Sequence, residues 1–71
     1  MTEKQILKKR IALCQQLSQI AADNNITHEQ IAERSGLIRP NVSRVLSGKY
    51  SPTLDVLLKI ADAIGVKIIL K

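Results

Sequence analysis

The sequence predicts an all-α fold in which a bundle of four helices is followed by a short C-terminal β-strand. Apolar residues recur at helical spacing along most of the chain, and a residue suited to a helix start precedes each of these runs. The last six residues instead have a β-branched composition with apolar residues at alternate positions. With 71 residues the chain has room for one domain, so we expect residues 1–71 to form a single unit.

The first helix is predicted over residues 3–23. Thr2 and Gln5 form the pattern of a capping box, in which each side chain bonds to the backbone N–H of the other residue. Asn24 and Asn25 end the helix, because asparagine tolerates the left-handed backbone found at helix ends. The apolar positions at helical spacing are Ile6, Leu7, Ile11, Cys14, Leu17, Ile20 and Ala21.

A second, short helix follows. Thr27 and Gln30 repeat the capping-box pattern, and Ile26 can pack on Ile31 across the first turn. Gly36 ends this helix, because glycine adopts a positive φ without strain.

A third short helix is predicted after a connection made by residues 36–39. Pro40 suits its first turn, where a missing N–H loses no intrahelical bond, and Gly48 closes it. Two short helices joined by a tight turn form a helix-turn-helix, here over residues 27–48. The inward face of the third helix consists of Val42, Val45 and Leu46.

Thr53 caps a fourth helix, predicted over residues 54–64 and ended by Gly65. Residues 66–71 form the predicted strand. Because an isolated strand leaves its backbone unpaired, we expect it to pair with the same strand of a second copy; a strand folded onto its own helices, or a frayed tail, is the alternative. The predicted dimer-interface residues are Val66, Ile68 and Leu70.

Residues 1–12 extend the first helix, and the sequence leaves their role open. Ile6, Leu7 and Ile11 could pack on a partner while the basic side chains between them stay in water.

Basic residues outnumber acidic ones, 11 to 6, and the excess is unevenly distributed. Residues 34–49 contain no acid, so a polyanion is the natural partner of this segment. The alternative is that these side chains only solvate a surface. The four basic residues of the segment are Arg34, Arg39, Arg44 and Lys49.

The chain offers little for catalysis or metal binding. One cysteine, Cys14, and one histidine, His28, provide no internal disulfide, no zinc-ligand spacing and no nucleophile–base pair, so we expect no enzyme, cofactor or metal site. Apolar runs are only a few residues long, far short of the roughly 18 that a membrane span requires, and the start carries no export signal. We therefore expect a cytoplasmic protein.

The third helix carries the features of a base-reading helix. In a helix-turn-helix the second helix of the motif lies in the major groove with its N-terminal residues aimed at base edges. The fork of Arg39 or Arg44 can bind guanine O6 and N7 together, and Asn41 can bond an adenine edge or a phosphate. Ile38, if exposed, could contact a thymine methyl; the alternatives are that Ile38 is a core residue and that Arg44 only solvates its face.

Over residues 13–66 the chain resembles the Xre-type helix-turn-helix family of phage repressors, Cro and bacterial antitoxins. The resemblance implies a lambda-repressor-like bundle that binds double-stranded DNA and regulates transcription. It depends on the joint order of caps, glycines and apolar positions in five segments, which are residues 26–32, 35–45, 47–49, 52–54 and 57–66.

The resemblance also implies individual contacts. The base-reading positions of the family fall on Ile38, Arg39, Pro40 and Arg44. Its phosphate-contacting positions fall on His28, Asn41, Ser47 and Lys49, and Ser43 on the same helix is expected to join them.

Three departures from the family pattern limit this transfer. Where the family usually has glutamine, this chain has His28, so the phosphate contact there becomes one from an imidazole. Ile38 and Pro40 replace residues that are commonly polar, so the base preference is undetermined. Many members pair an arginine in the first helix with a glutamate near the end of the third, where this chain has Ala21 and Leu46. Loss of one charge would leave the other buried and unpaired, so we interpret the two changes as a coordinated substitution.

These features predict a dimeric, sequence-specific transcriptional regulator that binds a pseudo-palindromic operator. The absence of an activation or sensor domain favours a repressor. The alternative is an antitoxin whose main role is to bind and neutralise a toxin protein.

Overall fold

The computed structural model describes residues 1–67, and within them the regular elements are four helices. Their bounds confirm the four helices that the sequence predicts. In chain order they are α1 (Glu3–Asp23), α2 (His28–Ser35), α3 (Arg39–Leu46) and α4 (Leu54–Ile64).

The predicted C-terminal strand is not seen in the described part of the chain. Val66 and Lys67 have no regular secondary structure, and Val66 packs against the chain's own core, with its N–H donating to the carbonyl of Ala61 at 2.9 Å. The rest of the predicted strand, including Ile68 and Leu70, lies outside the described residues. Within residues 1–67, no helix has the length and apolar character needed to span a membrane.

Side chains fix the starts of three helices. The N–H of Gln5 donates to Thr2 Oγ1 at 3.2 Å, and the Thr2 N–H donates to Gln5 Oε1 at 2.8 Å, so the predicted capping box of α1 is confirmed. The same pair of bonds opens α2. Thr53 Oγ1 accepts from the N–H of Val56 at 3.2 Å at the start of α4. The start of α3 differs, because its cap residue Ile38 provides no side-chain hydrogen bond.

The core lies where α3 and α4 meet the other two helices. α2 packs on α3 and α4, and α1 packs on the same two helices from another side. No polar or charged residue is buried among residues 1–67, so packing of apolar side chains holds α3 in place. The buried cluster consists of Leu17, Ala21, Ile31, Ala32, Val42, Val45, Leu46, Ile60, Ala61, Ala63 and Ile64.

The two residues that stand in place of the family's ion pair are both part of this cluster. Ala21 is 3% exposed and Leu46 is 5% exposed. Both positions are therefore apolar and buried in the core, and the coordinated substitution stays a prediction.

The N-terminal half of α1 packs against the segment that follows α3. A Cβ added at Gly48 would lie 3.1 Å from Ile11 Cγ1, and Arg10 Nε donates to the Gly48 carbonyl at 3.4 Å. Ile11 thus packs within its own chain, whereas Ile6 and Leu7 stay exposed. These contacts give residues 1–12 a structural role that the sequence left open.

Gly48→Ala is expected to lower the free energy of unfolding by more than Gly36→Ala does. Both glycines have a positive φ, +79° and +78°, so both substitutions carry a backbone strain of about 1 kcal/mol. Only at Gly48 does the new Cβ meet a neighbour within 4 Å. Urea unfolding of the two variants measures the difference, which should shrink in an Ile11→Ala background. Equal losses in both variants would contradict the close packing of α1 on this turn.

Cys14 is expected to resist thiol reagents in the folded protein and to make stability pH-dependent at alkaline pH. The side chain is 1% exposed, and burial raises the pKa of its thiol, an effect that nearby Arg10 partly opposes. Because folding raises the pKa of the thiol, the neutral buried Cys14 contributes its full share of the free energy of unfolding below pH 9.0. This contribution is lost as the pH rises above that value. Thermal melts between pH 7 and 11 check this, with Cys14→Ala as the control that should lack this part of the pH dependence.

Candidate nucleic-acid interface

The turn between α2 and α3 places the two helices of the motif in contact. Gly36 ends α2 in the left-handed conformation and its N–H donates to the Ala32 carbonyl at 2.9 Å. Leu37 packs on the core, and α3 begins two residues later at Arg39. The turn is therefore tight, and α3 has one face buried and one face open.

The open face of α3 carries the predicted base-reading residues. Ile38 is 62% exposed, so it is not a core residue, and the alternative that it packs inside is wrong. The side chains of Arg39, Pro40 and Arg44 are also exposed. The structure thus presents all four residues to solvent beside one another on one short helix and its cap.

Arg44 has an aromatic neighbour that sequence reasoning missed. Its guanidinium carbon lies 6.0 Å from the ring centroid of Tyr50, within the range of a cation–π contact. Tyr50 is the one aromatic residue of the chain and directly follows Lys49. An aromatic residue adjoining a basic segment was the available signal. The contact places the guanidinium beside the segment that follows α3.

Three of the predicted phosphate-contacting residues, Asn41, Ser47 and Lys49, are exposed, and the other two are half-buried. The hydroxyl of Ser47 donates to the Arg44 carbonyl at 2.7 Å and accepts from the Lys49 N–H at 3.3 Å, so it also shapes the end of α3. Ser47 therefore has a local structural role in addition to the predicted one.

His28 and Ser43 meet across the two helices of the motif. His28 is the first residue of α2 and Ser43 lies in the middle of α3, and the distance from Nδ1 to Oγ is 2.8 Å. Both residues are half-buried. The sequence predicts both as phosphate contacts, but it gives no sign that they bond to each other.

Arg34 belongs to the basic segment of the sequence but does not lie with the others. Its Nη1 donates to the Ala63 carbonyl at 3.3 Å, in the last turn of α4. A cation at a helix C-terminus is favourable, because the last carbonyls lack intrahelical partners. Arg34 thus joins α2 to α4, and the basic residues left for a ligand are Arg39, Arg44 and Lys49.

Comparison with known proteins agrees with this geometry. A helix-turn-helix family model matches residues 17–70. A curated relative, an uncharacterized HTH-type transcriptional regulator of Methanocaldococcus jannaschii, is 40% identical over 45 residues, which cover 63% of this chain and 68% of the relative. No solved structure matches the chain significantly. With the family match covering most of the described helices, the chain belongs to the Xre-type helix-turn-helix family.

Proposed function

We propose that this protein is a dimeric, sequence-specific DNA-binding repressor. The observation that carries the proposal is the two-sided environment of α3. Its inner residues Val42 and Val45 are fully buried, while the four predicted base-reading residues on its outer side are exposed in a segment without acids. A rigidly held helix with an open basic face fits a major groove.

The roles of the outer residues follow from their chemistry. Arg39 and Arg44 supply planar forks that can bind guanine, and Ile38 supplies an apolar surface for a thymine methyl. Asn41 and Lys49 bind phosphates on the flanking strands. His28, at the start of α2, meets a phosphate at the positive end of that helix.

The dimer is proposed from size. The chain measures 34 × 27 × 22 Å, so two copies side by side fit a spacing of roughly 34 Å, one turn of DNA. An eight-residue helix contacts few base pairs, and a twofold dimer doubles the site into a pseudo-palindrome. In this proposal Ile68 and Leu70 contribute to the interface between copies.

Selection of bound sequences from a random DNA pool, repeated at two salt concentrations, tests this function. The expected result is enrichment of one motif with two inverted halves about one helical turn apart. A pool that stays random at both salt concentrations would contradict sequence-specific binding. Enrichment of a single half-site without its inverted copy would contradict the proposed dimer but not the sequence-specific binding.

Lys49→Ala is expected to weaken binding to every duplex alike. Removing one phosphate contact should reduce the slope of log affinity against log salt by about one unit. Titrations at several salt concentrations measure that slope. Lys59→Ala is the matched control, because Lys59 is an exposed cation of α4 outside the helix-turn-helix. An equal slope change in both variants would show that only total charge matters.

An antitoxin role is the second candidate, and one observation favours it. Ile6, Leu7 and Leu13 are exposed on the part of α1 that precedes the family match. Such apolar side chains suit a protein partner. Co-purification from the native host with the product of a neighbouring gene, lost in Ile6→Ser and Leu13→Ser variants, would support this role.

A further inference from the structure

We propose that Ser43 does not contact DNA but fixes the tautomer of His28, so that the imidazole presents Nε2–H as a hydrogen-bond donor to a backbone phosphate. The DNA half of this proposal rests on the proposed function. The tautomer is a property of the free protein and stands apart from it. Ser43 is in this sense a positioning residue.

The direction of the bond follows from counting donors. A neutral imidazole has one N–H and one bare nitrogen, and a serine hydroxyl has one O–H. A helical serine often donates to the carbonyl four residues before it, but the one hydrogen bond of the Ser43 hydroxyl within residues 1–67 is the bond to His28. If Nδ1–H donated to Oγ, the hydroxyl hydrogen of Ser43 would have no acceptor within residues 1–67. With Ser43 donating to Nδ1, the hydroxyl hydrogen is bonded inside the protein, and the imidazole hydrogen lies on Nε2, which is open to solvent.

The other ring nitrogen is free for a ligand. Nε2 of His28 makes no hydrogen bond to the part of the chain that the structure describes. In the same part, no buried side-chain nitrogen or oxygen lacks a partner. Nε2 is therefore accessible to solvent. It lies on the first residue of α2, where the helix dipole and the unpaired backbone N–H groups favour an anion.

This geometry revises one expectation of the sequence. Ser43 is expected there to contact a phosphate directly, but its hydroxyl bonds to His28 at 2.8 Å. The bond also joins α2 to α3, so the phosphate contact is oriented relative to the base-reading helix. A registration of this kind between the two helices suits recognition, because phosphate contacts set the position of the reading residues.

The tautomer is measured directly by ¹⁵N NMR of the imidazole in the free, full-length protein at a pH where the ring is neutral. His28 is the single histidine, so its signals need no assignment. The expected spectrum shows a protonated Nε2 and an unprotonated Nδ1. Ser43→Ala should move the ring toward a mixture of tautomers, and Ser43→Thr, which keeps the hydroxyl, should restore the preference.

Ser47→Ala is the matched control, since it removes a hydroxyl of the same segment that bonds to the Arg44 carbonyl instead. It should leave the imidazole spectrum unchanged. A protonated Nδ1 in the unmodified protein, or an unchanged spectrum in Ser43→Ala, would overturn the assignment. Circular dichroism of each variant confirms that it is folded.

DNA binding tests the second half. Ser43→Ala should weaken binding to selected and random duplexes alike by about twofold, because a mixture of tautomers leaves about half of the molecules with a hydrogen on Nε2. In a His28→Ala background the same change should have no further effect. Equal losses in both backgrounds would show that Ser43 contacts DNA itself. If the unmodified protein binds no duplex, the proposed function fails and the phosphate contact with it, while the NMR result still decides the tautomer.

Discussion

Leu46→Glu is expected to lower the free energy of unfolding by about 3 kcal/mol, the largest effect foreseen for a single substitution in this chain. Leu46 is 5% exposed and belongs to the core between α1 and α3. The introduced carboxylate would lie without a counter-ion, because the family's arginine position holds Ala21. Urea unfolding at neutral pH measures the loss.

The pH dependence separates charge from packing in this experiment. Burial raises the pKa of an unpaired carboxyl, so the variant should be most stable below the ordinary range of a glutamate and lose stability as the pH rises through it. Leu46→Gln introduces a side chain of nearly the same shape as glutamate but without the charge. The stability that this variant loses should therefore not depend on pH in this way. Matching pH profiles for the two variants would show that lost apolar packing, not charge, is responsible.

A second substitution tests the interpretation of the apolar pair as a coordinated change. Ala21→Arg added to Leu46→Glu should recover more than half of the lost stability, because it introduces the ion pair that many family members are expected to have at these positions. A surface groove of about 420 Å³ lies beside Leu46 and is lined also by Gln15 and Ser18. A double variant no more stable than Leu46→Glu alone would contradict the coordinated substitution.

Arg44→Ala is expected to reduce affinity for the selected operator by about 1–3 kcal/mol and to relax the preference at one base pair. Arg44 is exposed on α3, and the Tyr50 ring centroid lies 6.0 Å from its guanidinium carbon. Arg44→Lys should be nearly as damaging, because an ammonium lacks the planar fork that binds guanine O6 and N7 together. Binding titrations on the operator and on duplexes changed at single positions measure both effects.

The comparison that decides the role of Arg44 is between operator and random DNA. Removal of a base-reading residue should lower the affinity for the operator more than the affinity for the random duplex. Lys59→Ala removes the same charge from α4 and should affect both duplexes slightly and equally. If Arg44→Ala weakens both duplexes to the same degree, its side chain contacts phosphate and not bases.

The helices could be predicted from the sequence because their signals are local. Thr2, Thr27 and Thr53 each satisfy a backbone N–H within three residues, and each cap bond is present in the structure. Gly36 and Gly65 end their helices with a positive φ, as glycines at those positions predict. Such bonds form between neighbours in the chain, so the pattern of residues contains them.

The contacts that shape the candidate site join residues far apart in the chain, and the sequence contains no comparable signal for them. His28 bonds to Ser43, Arg34 reaches Ala63, and Ile11 packs on Gly48 only because the four helices fold together. Exposure of Arg39 and Arg44 was predictable from the spacing of the inward residues Val42, Val45 and Leu46, whereas the exposure of Ile38 was left open by the sequence. The sequence did not indicate that His28 and Ser43 bond to each other.

The central claim is that α3 recognises particular bases and is more than a positively charged surface. Its most direct test is competition for the unmodified protein between the selected duplex and a scrambled duplex of equal length and composition, at physiological salt, beside a lysine-rich peptide of the same net charge. The account predicts that the protein prefers the selected duplex by a factor of at least about 10³, whereas the peptide binds both equally. A protein that discriminates no better than the peptide would contradict the claim.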